Sequence, residues 1–145
     1  MSALSSSSHL QTSAQPLPFS SGVALSGRIL LAAIFLLSGL SKLANPDGII
    51  RYIASAGLPL PTLGLALAVL VEVGGAALLI LGYRSRWTAV VLAAFSVLTA
   101  IVFHHQFGDQ NQLIHFLKNL AIAGGLLQVA AFGAGRFSLD GRRQR

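Results

Sequence analysis

Leu60 to Leu81, LPTLGLALAVLVEVGGAALLIL, limits what this chain can become more than any other stretch. It is apolar over a length that crosses a bilayer, because roughly 20 residues rising 1.5 Å each match a hydrocarbon core of about 30 Å. Near its middle stands one carboxylate, Glu72. An ionised acid at that depth costs a few kcal/mol unless a partner inside the protein compensates it. The rest of the chain must therefore wrap further helices around Glu72.

Composition points the same way. Of 145 residues, 54% are hydrophobic and 10% charged, against about 25% charged in a soluble domain. Much of the surface must face lipid, and the length suits one domain. The formal net charge of +6 does not mark a nucleic-acid binder. The basic residues form no surface stripe interleaved with aromatics and instead gather at the ends of apolar segments, as topology determinants do. Cysteine is absent, which excludes disulfide exchange, thiolate catalysis and Cys-ligated zinc or iron–sulfur centres.

Residues 1–22 are rich in Ser and Pro and read as a disordered tail. No basic n-region precedes the first apolar run, so a signal peptide is not expected. The transmembrane domain is expected over residues 23–137, with a basic tail at 138–145. A first span runs from Val23 to Leu43, where helical spacing puts Arg28, Ala32, Phe35, Gly39 and Lys42 on one protein-facing stripe. Asn45-Pro46-Asp47-Gly48 is turn chemistry. Ile49 to Ile53 then suggest a short amphipathic helix lying in the interface or capping the bundle end. In the second span Gly64, Ala68, Glu72 and Ala76 repeat every four residues, which lets a neighbouring helix come close to the acid. The third span begins at Trp87 and ends at Phe103. The fourth covers Leu113 to Phe132 and carries His115, Lys118 and Asn119 on one face. The reading is an all-α membrane protein, an antiparallel bundle of four transmembrane helices with a short interfacial helix between the first two. Arg84, Arg86, Arg136, Arg142, Arg143 and Arg145 flank one side, Lys42 and Arg51 the other. The positive-inside bias then puts both termini in the cytoplasm.

Three ionisable groups stand out as candidate catalytic residues: Glu72, Lys118 and Arg28. Along ideal helices Arg28 and Lys118 are each offset from Glu72 by about 7 Å, in opposite directions, so either long side chain reaches it. Two readings stay open for this cluster. One is an ion pair that fixes helix register; the other is a proton relay or quinone-headgroup site. Toward the outer rim His104, His105 and His115 gather with Lys42, Asp109 and Lys118. An imidazole with a pKa of about 6.5 suits proton uptake from a quinol, and His105, His115, Lys42 and Asn119 are the candidate cofactor-binding residues. Two adjacent histidines and a third across a loop are not a recognised ligand spacing, and no metal site is assigned. Ser96 and Thr99 are expected to bond carbonyls of their own helix. Asp140 is expected to pair with Arg84, Arg86 or Arg136.

Arg28 with SGLSKL (38–43), Glu72 with Gly74-Gly75, FLKNLAIAGGLL (116–127) and GAGRFSLD (133–140) occur in an order around four apolar spans that resembles the DoxX family of small four-helix bacterial membrane proteins. The likeness runs from Arg28 to Asp140. It implies a plasma-membrane protein described as an oxidoreductase. Some relatives look like the membrane subunit of thiosulfate:quinone oxidoreductase, and some associate with soluble redox enzymes. The expectation is a redox-associated membrane subunit that exchanges electrons or protons with a quinone beside a soluble partner. The chain carries no flavin, haem or iron–sulfur motif of its own, so electrons must come through the quinone or a partner. Two alternatives are a non-catalytic membrane anchor or assembly scaffold, and a small proton-coupled carrier protonated at Glu72. Four helices are few for a carrier, so the last would need a homo-oligomer.

Overall fold

Four apolar stretches form four long helices in the computed structural model, which describes residues 18–143. Helix α1 (Pro18–Ala44) is the first span, and α2 (Pro46–Ser55) follows it after a single residue. The second span is built of α3 (Pro61–Val69), one π turn (Leu70–Gly74) and α4 (Gly75–Leu81). Helices α5 (Ser85–Phe103) and α6 (Gln110–Phe132) supply the third and fourth spans, and α7 (Leu139–Arg143) closes the described chain. All four spans are long and apolar enough to cross a membrane.

Local chemistry sets the breaks. Pro46 sits in the first turn of α2, where a missing N–H costs nothing, and the Asn45 side chain accepts the Gly48 N–H at 3.1 Å. A Cβ at Gly48 would lie 2.5 Å from that side chain, so the cap needs glycine. Pro61 opens α3 directly after Leu60, a non-glycine residue in the left-handed region at φ 56°. Gly82 (φ 64°) stops α4, as a glycine just past a helix end does. Asp109 caps α6 by accepting the N–H groups of Asn111 and Gln112 at 2.7 and 3.3 Å.

Two boundaries differ from the sequence reading. Helix α1 begins at Pro18 rather than Val23, so the expected disordered tail ends sooner; residues 1–17 lie outside the described residues. The basic segment after residue 138 is not a loose tail. It forms α7 and folds back onto the bundle, with the Asp140 N–H donating to the Gly82 carbonyl at 3.0 Å. Gln144 and Arg145 lie outside the described residues.

The buried core is small in volume per residue: Ala32, Phe35, Ala76, Leu79, Ala89, Leu92, Ala93, Ala123 and Leu126. Five of these nine are alanine, so helices meet through close backbones, as packing in lipid favours. Gly75 extends the pattern, since a Cβ there would come within 2.7 Å of Leu92. The large side chains point the other way. Leu30, Leu37 and Leu70 stand exposed on the outside, which is the face a bilayer covers.

Candidate functional site

The π turn carries Glu72. Such a turn holds one residue more than α geometry allows, and it is frequent at functional sites. Here it turns the carboxylate toward α1, and the residue is 4% exposed. Ser38 and Lys42 are four residues apart on α1 and therefore share a face. Gly39, between them, lets that face approach: a Cβ on it would sit 2.6 Å from Val73 Cγ2 and 3.3 Å from Glu72 Cβ.

Lys42 Nζ lies 2.9 Å from Glu72 Oε1 and 2.9 Å from Oε2. It also donates to Ser38 Oγ at 2.7 Å, and Ser38 Oγ in turn donates to Oε1 at 3.0 Å. This is the one ion pair among the described residues. Beyond this ionic contact Oε2 has no further partner among the described residues.

The pair lines a cavity of about 620 Å³. Phe95, Ser96, Thr99 and Phe103 of α5 form the facing wall, and Lys118, Asn119 and Ile122 of α6 the third. Helix α2 covers one end, where Tyr52 stacks on Phe103 with centroids 5.2 Å apart and planes at 22°. Leu67 and Leu98 line the cavity and are also more than half exposed on the outside. The space thus opens sideways between α3 and α5. Ser96 is 1% exposed, and its Oγ has no hydrogen-bond partner among the described residues. Leaving a buried polar atom unpaired costs about 1–3 kcal/mol. Ser96 Oγ is such an atom in the cavity lining, as expected where a ligand or water serves it; Arg28 Nε is another, away from the cavity.

The structure gathers some of the expected site residues and separates others. Glu72, Lys42, Lys118 and Asn119 share the cavity, joined by His104. His115 stands behind His104, their rings stacked at 5.1 Å, while His104 Nδ1 meets Gln112 Oε1 at 2.9 Å. Asn119 Nδ2 donates to the His115 carbonyl at 3.0 Å. His105 does not belong to this group: it is exposed and its Nδ1 contacts the Val102 carbonyl at 3.2 Å.

Arg28 is the main correction. It does not pair with Glu72, and neither does Lys118; Lys42 takes that place. Arg28 Nη1 donates to the carbonyls of Leu79 (2.9 Å) and Ile80 (3.1 Å), and Nη2 to that of Phe137 (2.6 Å). The first two belong to the last turn of α4, where carbonyls run short of helical partners; that of Leu79 also accepts the Gly82 N–H at 3.2 Å. A cation there also complements the helix dipole. Arg28 is a buried clamp that ties α1, α4 and the segment before α7 together, remote from the cavity.

Two smaller expectations also change. Thr99 bonds the Ser96 carbonyl as expected, at 3.0 Å, whereas Ser96 bonds nothing. Asp140 forms no ion pair with Arg84, Arg86 or Arg136. It accepts the Arg84 and Ser85 N–H groups at 2.9 and 2.8 Å and the Ser85 hydroxyl at 2.7 Å. Partial burial works to raise its pKa, but these hydrogen bonds and the charge of Arg143 outweigh it and hold the carboxyl below the usual carboxylate range. Sequence reasoning missed Ser38, Ser96 and Tyr52 as site residues. Signals were available for Ser38, which shares a helix face with Lys42, and for Ser96, which lies on the small, polar face of the third span with His104.

A lysine, a serine and a glutamate in mutual contact at the end of an apolar cavity can bind a polar headgroup and pass a proton to it. Among the described residues no three His, Cys, Asp or Glu side chains come together as a metal site would need.

Comparison with known proteins places the chain. The DoxX family profile matches residues 23–105. The inner membrane protein YphA of Escherichia coli (strain K12) is 39% identical over 123 residues, covering 81% of this chain and 88% of that protein. The inner membrane protein YqjF of the same organism is 36% identical over 116 residues, covering 80% and 88%. No solved structure matches. With four membrane-length helices, a family match over more than half its length and two relatives spanning most of it, this chain is a multi-pass membrane protein that belongs to the DoxX family.

Proposed function

We propose that this protein is an inner-membrane, redox-associated subunit whose central cavity binds a quinone and exchanges protons with it through Lys42 and Glu72. The observation that carries the reading is the cavity itself: about 620 Å³, walled by Phe95, Phe103 and Ile122 and ending on the Ser38–Lys42–Glu72 cluster. A flat ring with a long apolar tail needs apolar walls, a few placed hydrogen-bonding groups and a sideways exit into lipid. The gap beside Leu67 and Leu98 provides the exit. The unmade hydrogen bond of Ser96 Oγ provides a polar contact beyond those the protein satisfies itself.

Bound quinone would supply two-electron, two-proton chemistry. The protein's share is binding and proton handling. Lys42 donates to an oxygen of the headgroup, Glu72 holds or releases the accompanying proton, and Ser38 keeps the two in register. Lys118, Asn119 and His104 offer the polar contacts of the third wall. Electrons come from a soluble redox partner. The excess of arginine around the end that holds both described termini supports placing that end in the cytoplasm.

The test is purification of the full chain in mild detergent, extraction and assay of retained quinone, and titration with a short-tailed quinone. Retained quinone, with affinity lowered at least tenfold by Glu72→Gln, is the expected outcome. No retained quinone and no saturable titration would refute the reading. If Glu72→Gln instead lowered only abundance or assembly while activity per assembled complex stayed intact, the protein would be a scaffold.

A further inference from the structure

Arg84, Arg86, Arg136 and Arg143 line a groove of about 1130 Å³ at the end of the bundle where α1 and α5 begin and α6 ends. One carboxylate, Asp140, lines it too, so four arginines less one aspartate leave a formal charge of +3. That carboxylate is already engaged by the Arg84 and Ser85 N–H groups and the Ser85 hydroxyl. Among the described residues none of the four arginines is in an ion pair; Arg143 lies 5.0 Å over the Tyr83 ring. A cluster of like charges costs free energy through self-repulsion unless an anion offsets it.

The surroundings say which anion. Trp87 is 73% exposed and Phe132 80%, both lining the groove. Aromatic side chains at the ends of membrane spans sit at headgroup level. From the groove the exposed apolar side chains Val90 and Val91 lead along α5 and Leu127 along α6, a surface for acyl chains. Gly133 has φ 82°, and a Cβ there would lie 3.7 Å from Arg86 Nε, so the guanidinium lies beside this glycine in the groove. A planar guanidinium fork matches phosphate oxygens two at a time.

We infer that this groove is a binding site for the phosphate headgroup of an anionic phospholipid in the leaflet it faces. Basic pockets between transmembrane helices hold such headgroups by the same electrostatics. The lipid's phosphate meets Arg86 and Arg136, and its chains follow the outer faces of α5 and α6 past Trp87 and Phe132. A soluble acidic protein would match the charge but would leave both aromatic rings in water.

The experiment uses the full chain, delipidated in a neutral detergent and offered equimolar phosphatidylglycerol and phosphatidylethanolamine, with bound lipid read by native mass spectrometry. The expected result is at least tenfold enrichment of the anionic lipid. Arg86→Ala with Arg136→Ala should abolish it, at about fivefold per arginine near an anionic phosphate. Both side chains are exposed, so the double variant should melt with the parent in detergent. Arg51→Ala, at the opposite end, should keep the enrichment. Equal retention of the two lipids would overturn the inference. So would enrichment that survives the double variant, inorganic phosphate stabilising the protein as strongly as the lipid, or arginine-dependent capture of an acidic protein without lipid preference.

Discussion

Removing Lys42 should damage the protein more than neutralising Glu72, and the structure says by how much. In Lys42→Ala the buried carboxylate loses its cation and keeps Ser38 Oγ as its one remaining hydrogen bond. Breaking a buried pair from one side costs about 3–5 kcal/mol. The Lys42 side chain keeps 20% exposure, against 6% for that of Glu72, so solvent already screens part of the pair and the lower end, about 3 kcal/mol, applies. In Glu72→Gln the lysine can follow its methylene stem toward water, while the amide oxygen still accepts from Ser38. That loss should be about 1–1.5 kcal/mol, the worth of one ordinary hydrogen bond. The combined variant Lys42→Met with Glu72→Gln buries no charge and should be more stable than Lys42→Ala. The assay is reversible denaturation in mixed micelles for the two single variants and the pair, closed as a double-mutant cycle. Equal costs for the single variants, or strict additivity, would refute the assignment of Lys42 as the counter-charge.

Gly39→Leu should destabilise by about 1–3 kcal/mol through overpacking against Val73, and Val73→Ala in the same chain should recover part of it, read as the denaturation midpoint. Ser96→Ala should leave the ligand-free protein equally or more stable, since it deletes an unpaired buried hydroxyl, yet weaken quinone binding about fivefold in a titration. Asp140 has a folded-state pKa lowered by its hydrogen bonds. Its contribution is therefore fully present above the unfolded carboxylate value of about 3.9 and is lost as pH falls through the folded value. Asp140→Asn should lower the melting temperature near neutral pH and flatten its fall below pH of about 4, as measured by a pH series of melts.

Hydropathy alone located the four spans, and the Asn45-Pro46-Asp47-Gly48 turn located the break after the first, because both signals are local. The stripe of small residues on the second span also pointed to a close helix contact at Glu72. What failed was pairing. Counting rise along ideal helices treated α3 to α4 as one uniform cylinder and centred Glu72 between Arg28 and Lys118. The π turn has no compositional mark: LVEVG could equally be α-helical. Lysine's four-carbon stem let Lys42 reach an acid that the count put deeper in the bilayer. The acceptors of Arg28, the carbonyls of Leu79, Ile80 and Phe137, lie more than fifty residues away and were invisible to any local pattern.

The extra residue in the π turn separates two jobs within one helix. Beyond it, Ala76 and Leu79 lock against the alanine-lined core; before it, Leu67 and Ala68 shape the ligand space, into which the turn itself sets Glu72. Deleting a single residue between Leu70 and Gly74 would restore regular winding but rotate one half by about 100° relative to the other. Either the acid would leave its lysine or the lower half would lose its seat, so here chemistry and packing are held in different phases of one rod.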